Sequence, residues 1–377
     1  MKNLTKHLSL LVPILFMLLF SCSGSSDRQG EMKMGAILPL TGDAAGWGQS
    51  GKEGIDLAVS EINGKGGISG KKIVVIYEDT QAQPEKGASA MLKLATVDKV
   101  PVVIGDLVSA TTLAAAPIAE QNKVVLLSPT ASAPKLTDAG KFVFRIWPSD
   151  LAEGVAMADF AANNLKLKKV AILYIQNDYG VSLKDVFEKQ FTKNGGEVVE
   201  TGAYKQDESD FRPYLERIMR KKPEAVYLVS YYKDAGLALK QAKQLRIKVR
   251  FLGTTAIQEP KLFEVAGDAA EGLIYAISSG YDPKSQDEKV KEFNIKFKDK
   301  FGKEPSFVQA QCYDAVAVVA SAVGKDGFKS EDIQKRLETI KDYHGVTGLI
   351  AFDENGDVKK PTAFMTVKGK EFVPYGK

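Results

Sequence analysis

The sequence predicts an α/β protein of two doubly wound lobes with parallel sheets, and three observations lead there. Short, unbroken apolar runs such as Val102-Val103-Ile104-Gly105 and Val124-Val125-Leu126-Leu127-Ser128 have the composition of strands buried on both faces. Stretches with apolar residues at helical spacing alternate with these runs one for one, which implies parallel strands and right-handed crossovers. After Phe142-Val143-Phe144-Arg145 the alternation starts again, as a second copy of one architecture without a residue-level repeat. A chain of 377 residues supplies two cores of ordinary size.

The elements follow in order. Residues 1–7 are short and basic, 8–20 are apolar, and Leu19-Phe20-Ser21-Cys22 comes next. The apolar run is too short to span a bilayer and reads as a secretion signal over 1–21. Leu at −3 and Ser at −1 before Cys22 resembles a bacterial lipobox. Cys22 is therefore expected to become the lipidated first residue, with 22–31 a flexible tether. Strand 32–38 leads through the loop 39–48 to a helix with Ile55, Ala58, Val59 and Ile62 in register. Strand 72–77 follows, then a helix expected to bury Ala88, Met91, Leu92 and Ala95, then strands 101–105 and 124–128. Both of these strands end in small, hydroxyl-rich residues: 106–112 after the first, with Ser109 where a helix should begin, and Pro129-Thr130-Ala131-Ser132-Ala133 after the second. Helix N-terminal amides beside a hydroxyl suit a carboxylate, and the same residues also suit ordinary N-caps.

In the second half, helix 151–165 leads to strand 170–175, helix 183–191 and strand 197–203. A helix over 211–219 turns Phe211, Tyr214, Leu215 and Ile218 inward, and strand 225–229, helix 234–245 and strand 249–252 complete the set. Strand 273–277 precedes a helix over 287–301 that aligns Val290, Phe293, Phe297 and Phe301, and helices 307–323 and 331–340 follow. The tail reads as a hairpin of strands 348–352 and 362–367 turning at Asn355-Gly356, which would complete the earlier lobes.

Composition excludes several functions. Lys and Arg number 51 against 47 Asp and Glu, and Lys2 and Lys6 belong to the signal, so no electrostatic case for nucleic acid exists. Cys22 and Cys312 are the only cysteines, and His7 and His344 the only histidines. A Cys/His metal cluster, a disulfide framework and most His-based triads are thereby excluded, and Cys312 reads as buried packing. Gly46-Trp47-Gly48-Gln49-Ser50-Gly51 fits G-x-G-x-x-G, but Pro39–Ala45 separates it from its strand and Trp47 crowds its first glycines, so no dinucleotide is expected. A nucleophile elbow and a Walker loop are also missing, and 353–357 lacks the downstream Glu of a calcium loop. No enzyme activity and no cofactor are expected.

In open α/β sheets ligands bind beyond the carboxyl ends of the strands. Those ends, near 41–47, 106–109, 128–132, 176–179, 230–231 and 253–255, are rich in hydroxyls, glycine and aromatics. Such residues suit a small ligand with a polar head and an apolar or planar tail.

Several of these stretches resemble one family. Gly35-Ala36-Ile37-Leu38-Pro39-Leu40-Thr41-Gly42 is similar to the opening of the branched-chain amino-acid (Leu/Ile/Val) binding proteins of ABC importers. So are Glu61-Ile62-Asn63-Gly64-Lys65-Gly66-Gly67-Ile68, Ser128-Pro129-Thr130-Ala131-Ser132-Ala133-Pro134 and Asn177-Asp178-Tyr179-Gly180, in the family's order across the whole mature chain. The resemblance implies a type I periplasmic-binding-protein fold: two Rossmann-like lobes joined by a three-strand hinge and closing on a ligand. It assigns 32–149 with 278–362 to one lobe and 150–277 with 363–377 to the other.

The resemblance also implies a site. Ser109, the backbone at Thr130 and Ala131 and the Ser132 hydroxyl would hold an α-carboxylate. Trp47, where the family often has Tyr, would line the side-chain pocket, and Tyr179 and Tyr231 would cover the ligand on closure. Two departures stand out. The family's Glu for the α-ammonium is replaced by Thr255, so Asp150 or Asp106 must substitute or the ligand lacks an amine. Val108 stands where some members carry a disulfide cysteine. The partners expected are a small amino acid or carboxylate, an ABC permease, and a bacterial membrane through the lipid anchor, the protein itself being an extracytoplasmic monomer. A ligand-sensing lipoprotein of the same fold without transport is the alternative reading.

Overall fold

The computed structural model describes residues 30–278, 280–324 and 327–376. Cys22, the signal segment and most of the tether lie outside the described residues.

The first sheet is all parallel. It contains β1 (Met32–Leu38), β2 (Ile73–Asp79), β3 (Val102–Gly105), β4 (Val125–Ser128) and β5 (Val143–Arg145) in the order β2-β1-β3-β4-β5. In the second sheet, β6 (Lys169–Ile175), β7 (Glu197–Tyr204), β8 (Ala225–Val229), β9 (Arg250–Gly253) and β10 (Ile274–Ile277) are also parallel, and they repeat that order as β7-β6-β8-β9-β10. The apolar runs are unbroken because helices cover both faces, and every residue of β3, β4 and β8 is buried.

The helices α1 (Ala45–Gly64), α2 (Pro84–Thr96) and α3 (Ser109–Asn122) belong to the first sheet's layers, joined by α9 (Glu288–Phe301), α10 (Phe307–Ala322) and α11 (Ser330–Thr339). The second sheet carries α4 (Asp150–Asp159), which continues as a π-helical turn Phe160–Asn164, then α5 (Asp178–Lys193), α6 (Arg212–Met219), α7 (Tyr232–Gln244) and the short α8 (Lys261–Ala266). The chain crosses between the layers after β5, after β10 and before the tail strands. Arg145, fully buried at the end of β5, anchors the last crossing through a two-pronged ion pair with Asp357 (Nε to Oδ1 2.6 Å, Nη2 to Oδ2 2.6 Å).

Three details differ from the sequence reading. Of the expected face of α2, Met91 is buried, Ala88 and Ala95 are half-buried and Leu92 is exposed, and Gly87, Ala90 and Leu94 are buried beside Met91. The helix lies so close to α3 that a Cβ on Gly87 would come 2.3 Å from the Thr111 methyl, and a hydrophobic-periodicity count gives no weight to glycine. The tail hairpin is also different. A strand β11 (Tyr343–Gly345) pairs with β12 (Gly348–Ile350), and the later strands β13 (Ala363–Lys368) and β14 (Glu371–Pro374) pair with each other. The turn of that second hairpin is Gly369-Lys370, both at positive φ as a two-residue turn requires, and β13 adds antiparallel to β10 at the sheet edge. Asn355-Gly356 turns the chain without a ladder, because the Gly356 carbonyl accepts from Arg145 N. Finally, α1, α5 and α7 begin earlier than their hydrophobic periodicity does, so Trp47 and Tyr179 lie in first helical turns rather than in loops.

Candidate functional site

Both sheets reverse their winding between their first and third strands, and a ligand crevice is expected beyond the carboxyl ends at such a point. The segments after β1 and β3 face those after β6 and β8 across a narrow cavity of about 30 Å³. That space holds about one water and is far below the roughly 300–1,000 Å³ typical of ligand sites, so the lobes stand closed here and must part to admit a ligand.

The first lobe supplies the polar end. Ser109 opens α3, and the amides of a first helical turn have no intrahelical partner. Its Oγ accepts from the N–H groups of Ser132 and Ala133, each at 3.1 Å. A hydroxyl has two acceptor sites and one proton, so the Ser109 proton is left for another acceptor. Thr130 lines the same wall but spends its hydroxyl on the Leu107 carbonyl at 2.9 Å. Ser132 lines the cavity, with its hydroxyl bonded to Asp150.

The second lobe supplies an aromatic cover. Asn177 caps α5 by accepting from Gly180 N at 2.9 Å, which sets Tyr179 in the first turn. A Cβ on Gly180 would come 1.9 Å from the Ile175 carbonyl, so only glycine allows this close start. Tyr179 stacks on Tyr231 at 5.6 Å, its hydroxyl donating to Thr254 at 2.7 Å. Trp47, from the other lobe, meets Tyr231 edge-on at 5.8 Å, and its buried Nε1–H has no partner.

The lobes also touch around the rim. Tyr232 donates to the Asp43 carbonyl at 3.2 Å and accepts from Gly46 N at 3.3 Å, while Lys233 pairs with Asp43 and Lys135 with Asp178. Gly46, Gly48 and Gly51, the fingerprint-like glycines, let α1 pack against Tyr232, Pro39 and Cys312.

Of the residues singled out from sequence, Trp47, Ser109, Thr130, Ser132, Tyr179, Tyr231 and Thr255 line this one cavity. Ala131 and Asp150 stand behind its wall: the Ala131 N–H goes to Ser128 Oγ at 3.0 Å and its methyl to the core. Asp150 is buried beside Ser132 and Ser182, and burial raises its carboxyl to about 7. Asp106 lies beneath the β3–α3 connection, taken up by the Thr80 hydroxyl at 2.5 Å and Val108 N at 2.7 Å.

Sequence reasoning missed Trp147, Phe307 and Glu153. Phe307 opens α10 behind the capping box Ser306…Gln309, and Trp147 follows β5, so both sit at element ends that could have been inspected. Glu153 gave no such signal, because an acid in a first helical turn suits the helix dipole anyway. It is buried on the cavity wall, with Oε1 accepting from Thr255 N at 2.9 Å and Oε2 2.8 Å from Thr255 Oγ1. Burial, reinforced by the nearby Asp150, raises its carboxyl to about 8. No group of His, Cys, Asp and Glu able to hold a metal occurs among the described residues.

A pair of like-wound lobes closing over a lined cavity defines a two-lobed ligand-binding protein. The sequence pattern described as periplasmic binding protein matches residues 31–371, and the chain belongs to that family, among its branched-chain amino-acid binding members. It is 29% identical to the leucine-, isoleucine-, valine-, threonine- and alanine-binding protein of Pseudomonas aeruginosa, over 95% of each chain. The leucine-binding protein LivK of Thermotoga maritima superposes with a TM-score of 0.86 at 33% identity, covering 92% of this chain and 98% of that one. A solute-binding protein of an ABC transporter from Rhodopseudomonas palustris, solved with 3,4-dihydroxybenzoic acid, superposes at 0.81 with 27% identity over 91% and 95%.

Proposed function

We propose that the protein is the extracytoplasmic solute-binding lipoprotein of an ABC importer, taking an amino acid or related small carboxylate into the cleft by lobe closure and presenting it to a permease. The observation that carries this reading is the cavity itself: a helix N-terminus and a free hydroxyl proton on one lobe, stacked tyrosines on the other. In this reading the lobes are 32–149 with 278–362 and 150–277 with 363–377, turning about the crossings.

The mechanism is a population shift. The first lobe binds the carboxylate through Ser109 and the backbone near Thr130 and Ser132, and only the closed form adds Tyr179 and Tyr231, so the ligand favours closure by that difference. Anchoring through Cys22 would hold the protein at the membrane, and no described helix is long and apolar enough to cross one. The relatives bind different molecules, so the ligand is tested directly. In a thermal-shift screen of amino acids and aromatic acids, a true ligand at 100 times its Kd adds about 2.7 kcal/mol of stability. Failure of every amino acid and carboxylate to shift the melting temperature would overturn the reading.

A further inference from the structure

We propose that Glu153 is the counter-ion of a ligand amine in this cleft, doing from α4 what residue 255 no longer does, and that the amine displaces a proton from it on binding. The inference rests on the proposed function above and names the ligand class, an α-amino acid rather than its deaminated counterpart.

Three observations converge. Residue 255 is a threonine, yet a carboxylate lies directly against it, held by its N–H at 2.9 Å and its hydroxyl at 2.8 Å. Glu153 is thus delivered to the wall where an acid at position 255 would otherwise stand. Second, the Thr255 hydroxyl also lies 2.9 Å from the Ala276 carbonyl. It has one proton for two acceptors and cannot satisfy both the Ala276 carbonyl and an ionised Glu153, whereas a protonated Glu153 donating to Thr255 Oγ1 while Thr255 donates to Ala276 satisfies all three. A neutral Glu153 is the arrangement that leaves no acceptor of this cluster unpaired, and burial, which raises its carboxyl to about 8, acts in the same direction. Third, among the described residues no Lys, Arg or His lines the cavity. Asp150 on the same helix, Tyr179 on α5 and Tyr227 on β8 face the carboxyl from the packed elements, and the Arg145 cation acts on Asp150. A ligand amine would be the missing positive charge. On binding, the Glu153 O–H bond breaks, the proton passes to solvent, and the carboxylate pairs with the ammonium.

Isothermal titration with leucine, isoleucine, valine, 4-methylpentanoate and benzoate tests this. Expected for the wild type is tighter amino-acid binding as pH rises from 6 to 8, by more than about tenfold, with release of about one proton near pH 6.5. Glu153→Gln should weaken amino-acid binding roughly thirtyfold or more and flatten that pH profile, which Asp150 alone would not do. The double variant Glu153→Gln with Thr255→Glu should restore tight amino-acid binding, a rescue that a merely structural role would not give. A wild type that prefers the two deaminated acids, with affinity falling as pH rises, overturns the inference and leaves the importer reading standing. So does a folded double variant without rescue, or Glu153→Gln with unchanged affinity. Binding of neither class overturns both.

Discussion

At the scale of single residues, Ser109 carries two tasks. Its oxygen satisfies two buried N–H groups of the facing loop, and its proton is available to a ligand. Ser109→Ala should lower stability by about 1–3 kcal/mol for each donor left unpaired and weaken a carboxylate ligand by about 1–2 kcal/mol, read by urea unfolding and calorimetry. An unchanged Kd would remove Ser109 from the site. The buried carboxyls make a second, pH-dependent prediction. Asp106, Asp150 and Asp234 are raised to about 7 and Glu153 to about 8, each chiefly by burial, against about 4 in an unfolded chain. Between those values the folded state holds protons that the unfolded state has lost, so the stability is full below pH 4 for these groups and falls as pH rises toward 8. The unliganded protein should need more urea to unfold at pH 5.5 than at pH 8. The reverse order would show that these carboxyls are ionised in the fold.

At the scale of elements, the site depends on where helices begin. Asn177 and Gly180 start α5 directly off the end of β6, placing Tyr179 over the cavity. Gly180→Ala would drive a Cβ into the Ile175 carbonyl, so α5 must shift and carry Tyr179 with it. The expected cost is about 1–3 kcal/mol of stability together with weaker ligand binding. A variant with normal affinity and melting temperature would show that the helix start is not what positions the tyrosine. The capping motif was legible in sequence as part of Asn177-Asp178-Tyr179-Gly180, but the hydrophobic stripe of α5 begins only at Leu183, which is why periodicity alone placed the start too late. The tail shows the converse: Asn355-Gly356 has the chemistry of a hairpin turn, and the ladder formed elsewhere because Gly356 is tied to β5.

At the scale of the whole molecule, the lobes are held together at the rim by contacts independent of any ligand, Lys233 with Asp43 and Lys135 with Asp178. Each is a partly exposed pair, individually weak and screened by salt. Together they bias the empty protein toward closure, and affinity scales with the fraction that is binding-competent. Lys233→Ala combined with Lys135→Ala should enlarge the radius of gyration of the unliganded protein in solution scattering, with added salt acting in the same direction on the wild type. A radius that does not change would assign closure to Trp47, Tyr231 and Tyr232 instead.

The sequence by itself determined the two-lobed α/β architecture, since buried parallel strands leave short unbroken apolar runs, and here these alternate with stretches of helical spacing and the alternation starts again halfway along the chain. It also marked most of the cavity wall, because strand ends and family motifs are local in the chain: Trp47, Ser109, Thr130, Ser132, Tyr179, Tyr231 and Thr255 were all visible there. Only the tertiary structure decided which acid lies against Thr255. Asp150 and Asp106 were nearer to recognised strand ends, yet both are turned to buried hydrogen bonds behind the wall. Glu153 and Thr255 are 102 positions apart in the chain, and the pair exists only because α4 packs across the end of the second sheet. Contacts between elements distant in sequence leave no periodic or motif signal, and the charge that discriminates between ligands rests on one of them.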